Sequence, residues 1–163
     1  MKKYLFVGNR GFVLEEMIRL GLDIISVLAV KNSYLEKELI AKGKDHVSIG
    51  NKKQLIEIIQ KMKFDYLISN GCPYILPISS LKNGKKEFIN IHPSPLPDLR
   101  GVDPVPGALL YGRNSGASCH IMNEGIDAGP IISRVIIEYT EDLDAGLLYQ
   151  LSFLAEKKVL IDA

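Results

Sequence analysis

The chain of 163 residues has little excess of either charge. Lys and Arg together number 20 and Asp and Glu number 19, which leaves a formal net charge of +1. A chain without a strong positive balance has no general attraction to nucleic acid or to an anionic membrane. Its basic runs are short pairs of lysines, which are typical of a solvated surface. Binding of a polyanion would therefore require a local basic patch.

Cysteine and long apolar runs are also scarce. Cys72 and Cys119 lie far apart without CxxC spacing, which favours two reduced thiols in a cytoplasmic protein over a single disulfide. The apolar stretch that follows Lys3 is broken by Gly8. It is too short for the core of a signal peptide or for a membrane span. We therefore expect no membrane partner.

Several well-known active-site motifs are absent. The sequence contains no GxGxxG, Walker loop, GxSxG or HExxH, so it lacks the usual signatures of dinucleotide binding, of P-loop nucleotide binding, of the hydrolase nucleophile elbow and of zinc proteases. Residues 8–11, Gly-Asn-Arg-Gly, follow a predicted strand and precede a predicted helix, as a phosphate-binding loop would. Without a third glycine, a tight turn is the favoured interpretation.

Strand and helix patterns alternate through the first 92 residues. Strands are predicted at 4–7, 24–30, 46–49, 66–69 and 88–92, with helices near 13–20, 33–42 and 55–62. The nearly unbroken apolar run at 24–30 is typical of a parallel strand covered on both faces. The alternation predicts an α/β fold with a doubly wound, mostly parallel sheet. The length fits one domain over residues 1–163.

The pattern changes after residue 92. Residues 93–106 hold five of the eight prolines. A short helix near 108–111, strands near 117–122 and 131–137, and a helix from about residue 146 follow. That last helix is unfinished at Ala163, so we expect a domain truncated within its C-terminal helix.

Asn90 and His92 stand at the predicted carboxyl end of a strand, where ligands bind in α/β sheets. Strand side chains alternate, so residues two apart project from the same face. Each side chain taken alone would be a satisfied polar group more often than a catalytic one. Their pairing before a proline-stiffened loop favours a functional site.

Asp127 is the candidate partner for this pair. It lies in the stretch NEGIDAGPI, between Gly125 and Gly129, where the backbone can turn tightly and approach a ligand. An aspartate in a glycine loop is more often a turn former. Of the other histidines, His46 is interpreted as a surface or edge residue. His120 is interpreted as structural, with a place in the lining of a site as the less favoured alternative.

The stretches NIHPSPLPDLRG at 90–101 and GASCHIMNEGIDAGPII at 116–132, with their spacing, resemble the formyltransferases that use 10-formyltetrahydrofolate. That family includes methionyl-tRNA formyltransferase, glycinamide ribonucleotide formyltransferase and the nucleotide-sugar N-formyltransferases. The resemblance implies a Rossmann-like fold and an enzyme that moves a formyl group from 10-formyltetrahydrofolate to an amine. It implies no metal.

The resemblance also implies roles for individual residues. The family's catalytic triad is matched by Asn90, His92 and Asp127. The segments expected to hold the pterin ring of the folate are matched by Tyr74, Ile75, Leu76, Pro77, Asn123, Glu124, Gly125 and Ile126. The loop beside the acceptor is matched by Ser94, Leu96, Pro97, Arg100 and Gly101.

Formyl transfer passes through a tetrahedral centre that carries an oxyanion. Asn90 and protonated His92 are expected to donate hydrogen bonds to that charge. Asp127, through His92 or through water, is expected to help protons leave the amine and reach the folate nitrogen. The prolines that follow would limit the freedom of the loop.

The acceptor is predicted from what separates the branches of the family. The chain shows no basic insertion after the second strand and no strong positive charge, whereas RNA binding draws on phosphate neutralisation. The stretch HPSPLPDLRGVDP is most similar to the nucleotide-sugar branch. We therefore expect an amino sugar of a nucleotide-sugar as acceptor, with methionyl-tRNA or a non-catalytic folate-binding module as alternatives. A homodimer is the expected assembly.

Overall fold

The computed structural model describes residues 1–163, and its contacts divide the chain into two compact units, Met1–Ile89 and Asn90–Ala163. The strands are β1 (Lys3–Gly8), β2 (Asp23–Val30), β3 (Val47–Ile49), β4 (Tyr66–Asn70), β5 (Glu87–His92), β6 (Ser115–Ile121) and β7 (Ile131–Ile137). The helices are α1 (Phe12–Arg19), α2 (Tyr34–Ala41), α3 (Lys52–Lys61), α4 (Ile78–Leu81), α5 (Pro104–Leu110) and α6 (Ala145–Asp162). The predicted α/β class with a mostly parallel sheet is confirmed. The extent of the domain stays a prediction.

The first unit is built around β1. Its strands lie in the order β3-β2-β1-β4, and each adjacent pair is parallel. Phe6 of β1 lies opposite Val27 of β2 on one side and Ile68 of β4 on the other. Leu5, Phe6 and Val7 are fully buried, as expected for a parallel strand without a solvent-facing side. Parallel pairing was predicted for the strands at 4–7, 24–30, 66–69 and 88–92. It is confirmed for the first three and stays a prediction for the fourth.

Helix starts in this unit follow the expected capping chemistry. The Ser33 side chain accepts a hydrogen bond from the Glu36 N–H at the start of α2. Asn51 accepts one in the same way from the Gln54 N–H at the start of α3. Short polar side chains at these positions satisfy N–H groups that have no partner inside the helix. The four-residue α4 was not predicted, because it is too short to show a helical period.

In the second unit, β5, β6 and β7 lie side by side in that order, with β6 and β7 antiparallel. The helix α6 packs on β6 and β7, and its N-cap Asp144 accepts a hydrogen bond from the Leu147 N–H. The helix α5 begins four residues before its predicted start, because prolines suit the first turn of a helix. No helix in residues 1–163 is both long and apolar enough to cross a membrane.

The two cysteines are both unpaired thiols, as predicted. Burial raises the pKa of Cys119 to about 11. Burial also raises the pKa of Cys72, which is only half-buried. At pH 8 we therefore expect a thiol reagent to modify Cys72 slowly and to leave Cys119 unmodified until the chain is unfolded, since the thiolate is the reacting form. Mass spectrometry of the labelled protein measures this, and fast labelling of native Cys72→Ser would contradict it.

Candidate active site

The strand β5 presents Asn90 and His92 to the same carboxylate. The Asn90 amide nitrogen Nδ2 donates to Oδ1 of Asp127 at 3.2 Å. The His92 ring nitrogen Nδ1 lies 3.4 Å from Oδ2 of Asp127. The expectations that Asn90 and His92 share a face and that Asp127 reaches His92 directly are therefore confirmed. Their catalytic roles stay predictions.

Asp127 is fixed by the loop between β6 and β7. Its backbone φ of 48° is left-handed, a conformation in which aspartate is tolerated better than most residues. The Gly101 N–H donates to its Oδ2 at 2.9 Å. At Gly129 a Cβ would lie 1.7 Å from the Ile121 carbonyl oxygen, so the loop closes only with glycine there.

The His92 ring is oriented by a backbone carbonyl. Its Nε2 lies 2.9 Å from the Leu99 oxygen. A carbonyl oxygen only accepts hydrogen bonds, so Nε2 carries the hydrogen and donates it. The other nitrogen, Nδ1, is therefore the one that gains or loses a proton, and it faces Asp127.

His120 is a fourth member of the cluster. Its Nε2 lies 3.2 Å from the Asn90 Nδ2 and 3.5 Å from the Asp127 Oδ1, and its Nδ1 lies 3.1 Å from the Ile121 oxygen. With Nδ1 donating to that carbonyl, a neutral His120 accepts at Nε2. Asn90 then donates one amide hydrogen bond to Asp127 and the other to His120. This contact fits the less favoured interpretation from the sequence, in which His120 lines a site, better than a structural role alone. Its place near the end of β6, beside β5, was the available signal.

The protonation of His92 follows from its surroundings. Burial lowers the pKa of His92 below its usual value, and His120 acts in the same direction. The negative charges of Asp127 and Glu156 and the hydrogen bond to Leu99 raise that pKa without reversing the shift. Glu156 of α6 is itself fully buried. The lowered pKa favours a neutral imidazole at neutral pH in the free protein. The protonated His92 that is expected during formyl transfer stays a prediction.

Asp127 remains a carboxylate. Burial by itself raises the pKa of Asp127. A hydrogen bond from His120 when its Nε2 carries a proton, the charge of His92 when that ring is protonated, and the Gly101 N–H outweigh the effect of burial, so the pKa of Asp127 lies below the usual value. A neutral imidazole beside a carboxylate can take up a proton and hold it as an ion pair. That chemistry suits a reaction in which an amine loses a proton.

The residues predicted beside the acceptor differ in exposure. The side chains of Ser94 and Leu96 are buried at 0% and 1% exposure, so a ligand contact there would have to use backbone atoms. The Gly101 N–H is held by Asp127. Pro97 and Arg100 are exposed. The binding roles of all five stay predictions.

The residues predicted to hold a pterin lie in two separate segments. In the first unit, Leu76 is buried and Ile75 is 58% exposed, whereas Tyr74 and Pro77 are half-buried. In the second unit the four residues of the matched segment, Asn123, Glu124, Gly125 and Ile126, are all exposed. Each segment thus offers an exposed isoleucine and accessible backbone, which suit an aromatic ring with polar edges.

A family model described as formyl transferase matches residues 30–163 of the chain. Methionyl-tRNA formyltransferase of Bacillus velezensis is 29% identical over an alignment 177 positions long, which covers 98% of this chain and 56% of that protein. A second methionyl-tRNA formyltransferase, from Listeria innocua, is 30% identical and is covered over 53% of its length. The chain thus spans little more than half the length of these relatives.

Solved structures match the fold. Phosphoribosylglycinamide formyltransferase from Streptococcus pneumoniae has a TM-score of 0.81 at 20% identity, with 98% of this chain and 95% of that chain covered. A sugar N-formyltransferase from a Shewanella species has a TM-score of 0.78 at 23% identity, with 99% of this chain and 68% of that chain covered. At these identities the likeness is one of fold.

Proposed function

We propose, from the premise that this chain belongs to the formyl transferase family, that it transfers a formyl group from 10-formyltetrahydrofolate to an amine. The observation that carries the proposal is the convergence of Asn90 and His92 on Asp127, at 3.2 Å and 3.4 Å. The donor supplies an activated formyl carbon. The chain must then bind both substrates, remove a proton from the amine and stabilise the charge that develops.

His92 is proposed as the base. An amine that attacks a carbonyl carbon becomes positively charged and has to lose a proton. The lowered pKa of His92 keeps its ring neutral and ready to accept that proton. Asp127, 3.4 Å from Nδ1, then stabilises the imidazolium. Proton transfer of this kind contributes about 10² to 10⁴ in rate.

Asn90 is proposed to serve first as the group that orients Asp127. Its amide reaches both Asp127 and His120, each at 3.2 Å. A further role as a donor to the oxyanion therefore requires one of these hydrogen bonds to be exchanged for a bond to the substrate. Such an exchange makes Asn90 a weaker electrostatic contributor than a preorganised donor.

Folate binding is proposed for the two segments 74–77 and 123–126. Exposed Ile75 and Ile126 offer apolar surface for the pterin ring, and the backbone beside them offers hydrogen bonds to the ring edge. The Asn123 side chain accepts a hydrogen bond from the Gly125 N–H at 2.9 Å. This bond gives the second segment a defined turn.

The proposed acceptor is an amino sugar carried by a nucleotide. Only residues 31–33 separate β2 from α2, which leaves no basic insertion there for RNA. Exposed Arg100 precedes Gly101, whose N–H binds Asp127, and a guanidinium suits a phosphate group. Methionyl-tRNA is the second candidate, because the relatives matched in sequence are methionyl-tRNA formyltransferases.

An activity screen tests these proposals. The purified chain is incubated with 10-formyltetrahydrofolate and either amino-sugar nucleotides or methionyl-tRNA, and release of tetrahydrofolate is followed. We expect turnover with an amino-sugar nucleotide, at a rate that Asp127→Asn lowers by about 10² to 10⁴. Turnover with methionyl-tRNA alone would reject the amino-sugar acceptor. Folate binding without turnover on any acceptor would favour a non-catalytic folate-binding module.

A further inference from the structure

Residues 93–101, which we call the proline loop, form two backbone contacts with the catalytic cluster. The Leu99 carbonyl oxygen accepts the hydrogen of His92 Nε2 at 2.9 Å. Two residues later, the Gly101 N–H donates to Asp127 Oδ2 at 2.9 Å. The conformation of the proline loop therefore sets the orientation of both the imidazole and the carboxylate.

The backbone of this loop is held in an unfavourable conformation at Leu99. Its φ is 55°, in the left-handed region that residues with a side chain rarely adopt. Leucine has no polar side chain that would favour this region by a local hydrogen bond. Such a conformation persists only when surrounding contacts enforce it, so other parts of the unit must fasten the loop.

Ser118 of β6 supplies two of these contacts. Its Oγ accepts a hydrogen bond from the Leu96 N–H at 2.9 Å and donates one to the Ser94 oxygen at 2.8 Å. Ser118 is fully buried, so water cannot replace it without entering the core. One hydroxyl thus binds both the Leu96 N–H and the Ser94 carbonyl oxygen of the loop.

Two further hydrogen bonds complete the fastening. The Arg134 guanidinium of β7 donates through Nη1 to the Leu96 oxygen at 2.9 Å. The Ser94 Oγ donates to the Asp98 oxygen at 2.7 Å, one residue before Leu99. A continuous series of bonds therefore runs from β6 and β7 through the loop to the Leu99 carbonyl.

We propose that Ser118 and Arg134 are positioning residues for formyl transfer. By fixing the proline loop, they keep the Leu99 carbonyl on His92 Nε2, which selects the Nε2–H tautomer and leaves Nδ1 to exchange protons beside Asp127. The catalytic consequence rests on the proposed function. The effect on the tautomer does not, because it concerns the free protein.

The strand β6 offers a matched control. Ser115 is 2% exposed, and its Oγ has no hydrogen-bond partner. Ser115→Ala and Ser118→Ala thus make the same chemical change at two buried positions of one strand. Only the second removes bonds to the proline loop.

The test compares Ser118→Ala, Ser118→Thr, Arg134→Ala and Ser115→Ala. Side-chain ¹⁵N–¹H spectra of labelled histidine, assigned with His92→Ala, report the tautomer of His92. Steady-state rates give kcat and the donor KM. For Ser118→Ala we expect mixed tautomers and a kcat lowered about 10- to 100-fold, with donor KM changed less than about 2-fold. Ser118→Thr retains the hydroxyl, so its His92 tautomer and its kcat should be those of the parent. Ser115→Ala should also match the parent in both quantities.

Three outcomes would overturn the proposal: an unchanged His92 tautomer in Ser118→Ala, a normal kcat in that variant, or equal losses in Ser115→Ala. If Ser118→Ala does not fold, Arg134→Ala decides in its place, because Arg134 lies on the exposed side of β7. If no acceptor supports turnover, the proposed function fails. The ¹⁵N spectra then still decide whether Ser118 positions His92.

Discussion

Asp127→Asn is expected to lower kcat by about 10² to 10⁴ while leaving folate affinity nearly intact. The substitution keeps the backbone, including the φ of 48° that asparagine also tolerates. It removes the negative charge that faces His92 Nδ1 at 3.4 Å. That charge matters most once the ring has become an imidazolium, so its loss acts on the transition state rather than on donor binding. Calorimetric titration with a stable folate analogue, beside steady-state rates, measures both quantities.

The pH dependence gives a second readout of the same pair. A neutral His92 acts as base, so kcat/KM should fall as pH drops through the pKa of His92, which burial holds below its usual value. The charge of Asp127 raises that pKa. Removing the charge therefore lowers the pKa of His92 further. In the Asp127→Asn variant, the fall of kcat/KM on the acidic side of the pH profile should therefore occur at lower pH.

Matched variants separate the catalytic effect from a general loss of charge. Asp142→Asn makes the same change at an exposed position and should leave both readouts unchanged. His92→Ala should resemble Asp127→Asn, whereas Asn90→Ala should be milder because water can replace a neutral donor. A rate for Asp127→Asn within about tenfold of the parent would contradict the assignment of Asp127.

The parts of the site that could be predicted are those with a local signature. Asn90 and His92 were found because strand side chains alternate with a period of two. Asp127 was a candidate because glycines flank it, and the resemblance to formyltransferases favoured it over a turn former. The strands of the first unit were found because parallel strands are apolar throughout. Each of these signals depends on near neighbours in the sequence.

The parts that were missed depend on contacts between distant positions. His120 meets Asn90 across 30 positions. The sequence placed His120 near the end of a predicted strand but did not identify Asn90 as its partner. The lowered pKa of His92 could not be predicted, because the sequence does not reveal how deeply the ring is buried. The left-handed backbone conformation of Leu99 results from the contacts that hold the proline loop. A leucine by itself favours a negative φ.

Gly129→Ala is expected to remove most of the activity without touching any catalytic side chain. A Cβ at this position would lie 1.7 Å from the Ile121 oxygen and 2.8 Å from its carbonyl carbon. Both are backbone atoms of β6, so the loop must move instead. The Ile121 N–H to Pro130 oxygen bond of 2.9 Å would then be strained, and Asp127 would leave its place between His92 and Gly101. A misplacement of a catalytic group by about 1 Å costs about 10² in rate. The overpacking costs about 1 to 3 kcal/mol in the free energy of unfolding.

Denaturant unfolding and steady-state rates on three variants test this expectation. In Gly146→Ala, at the start of α6, the nearest atom to the new Cβ is the Asp144 Oδ1 at 3.4 Å, so both measurements should stay near those of the parent. The double variant of Gly129→Ala with Asp127→Asn should be little slower than Asp127→Asn alone, because both changes act through one carboxylate. Fully additive losses in kcat would mean that Gly129 supports the reaction by a route other than Asp127.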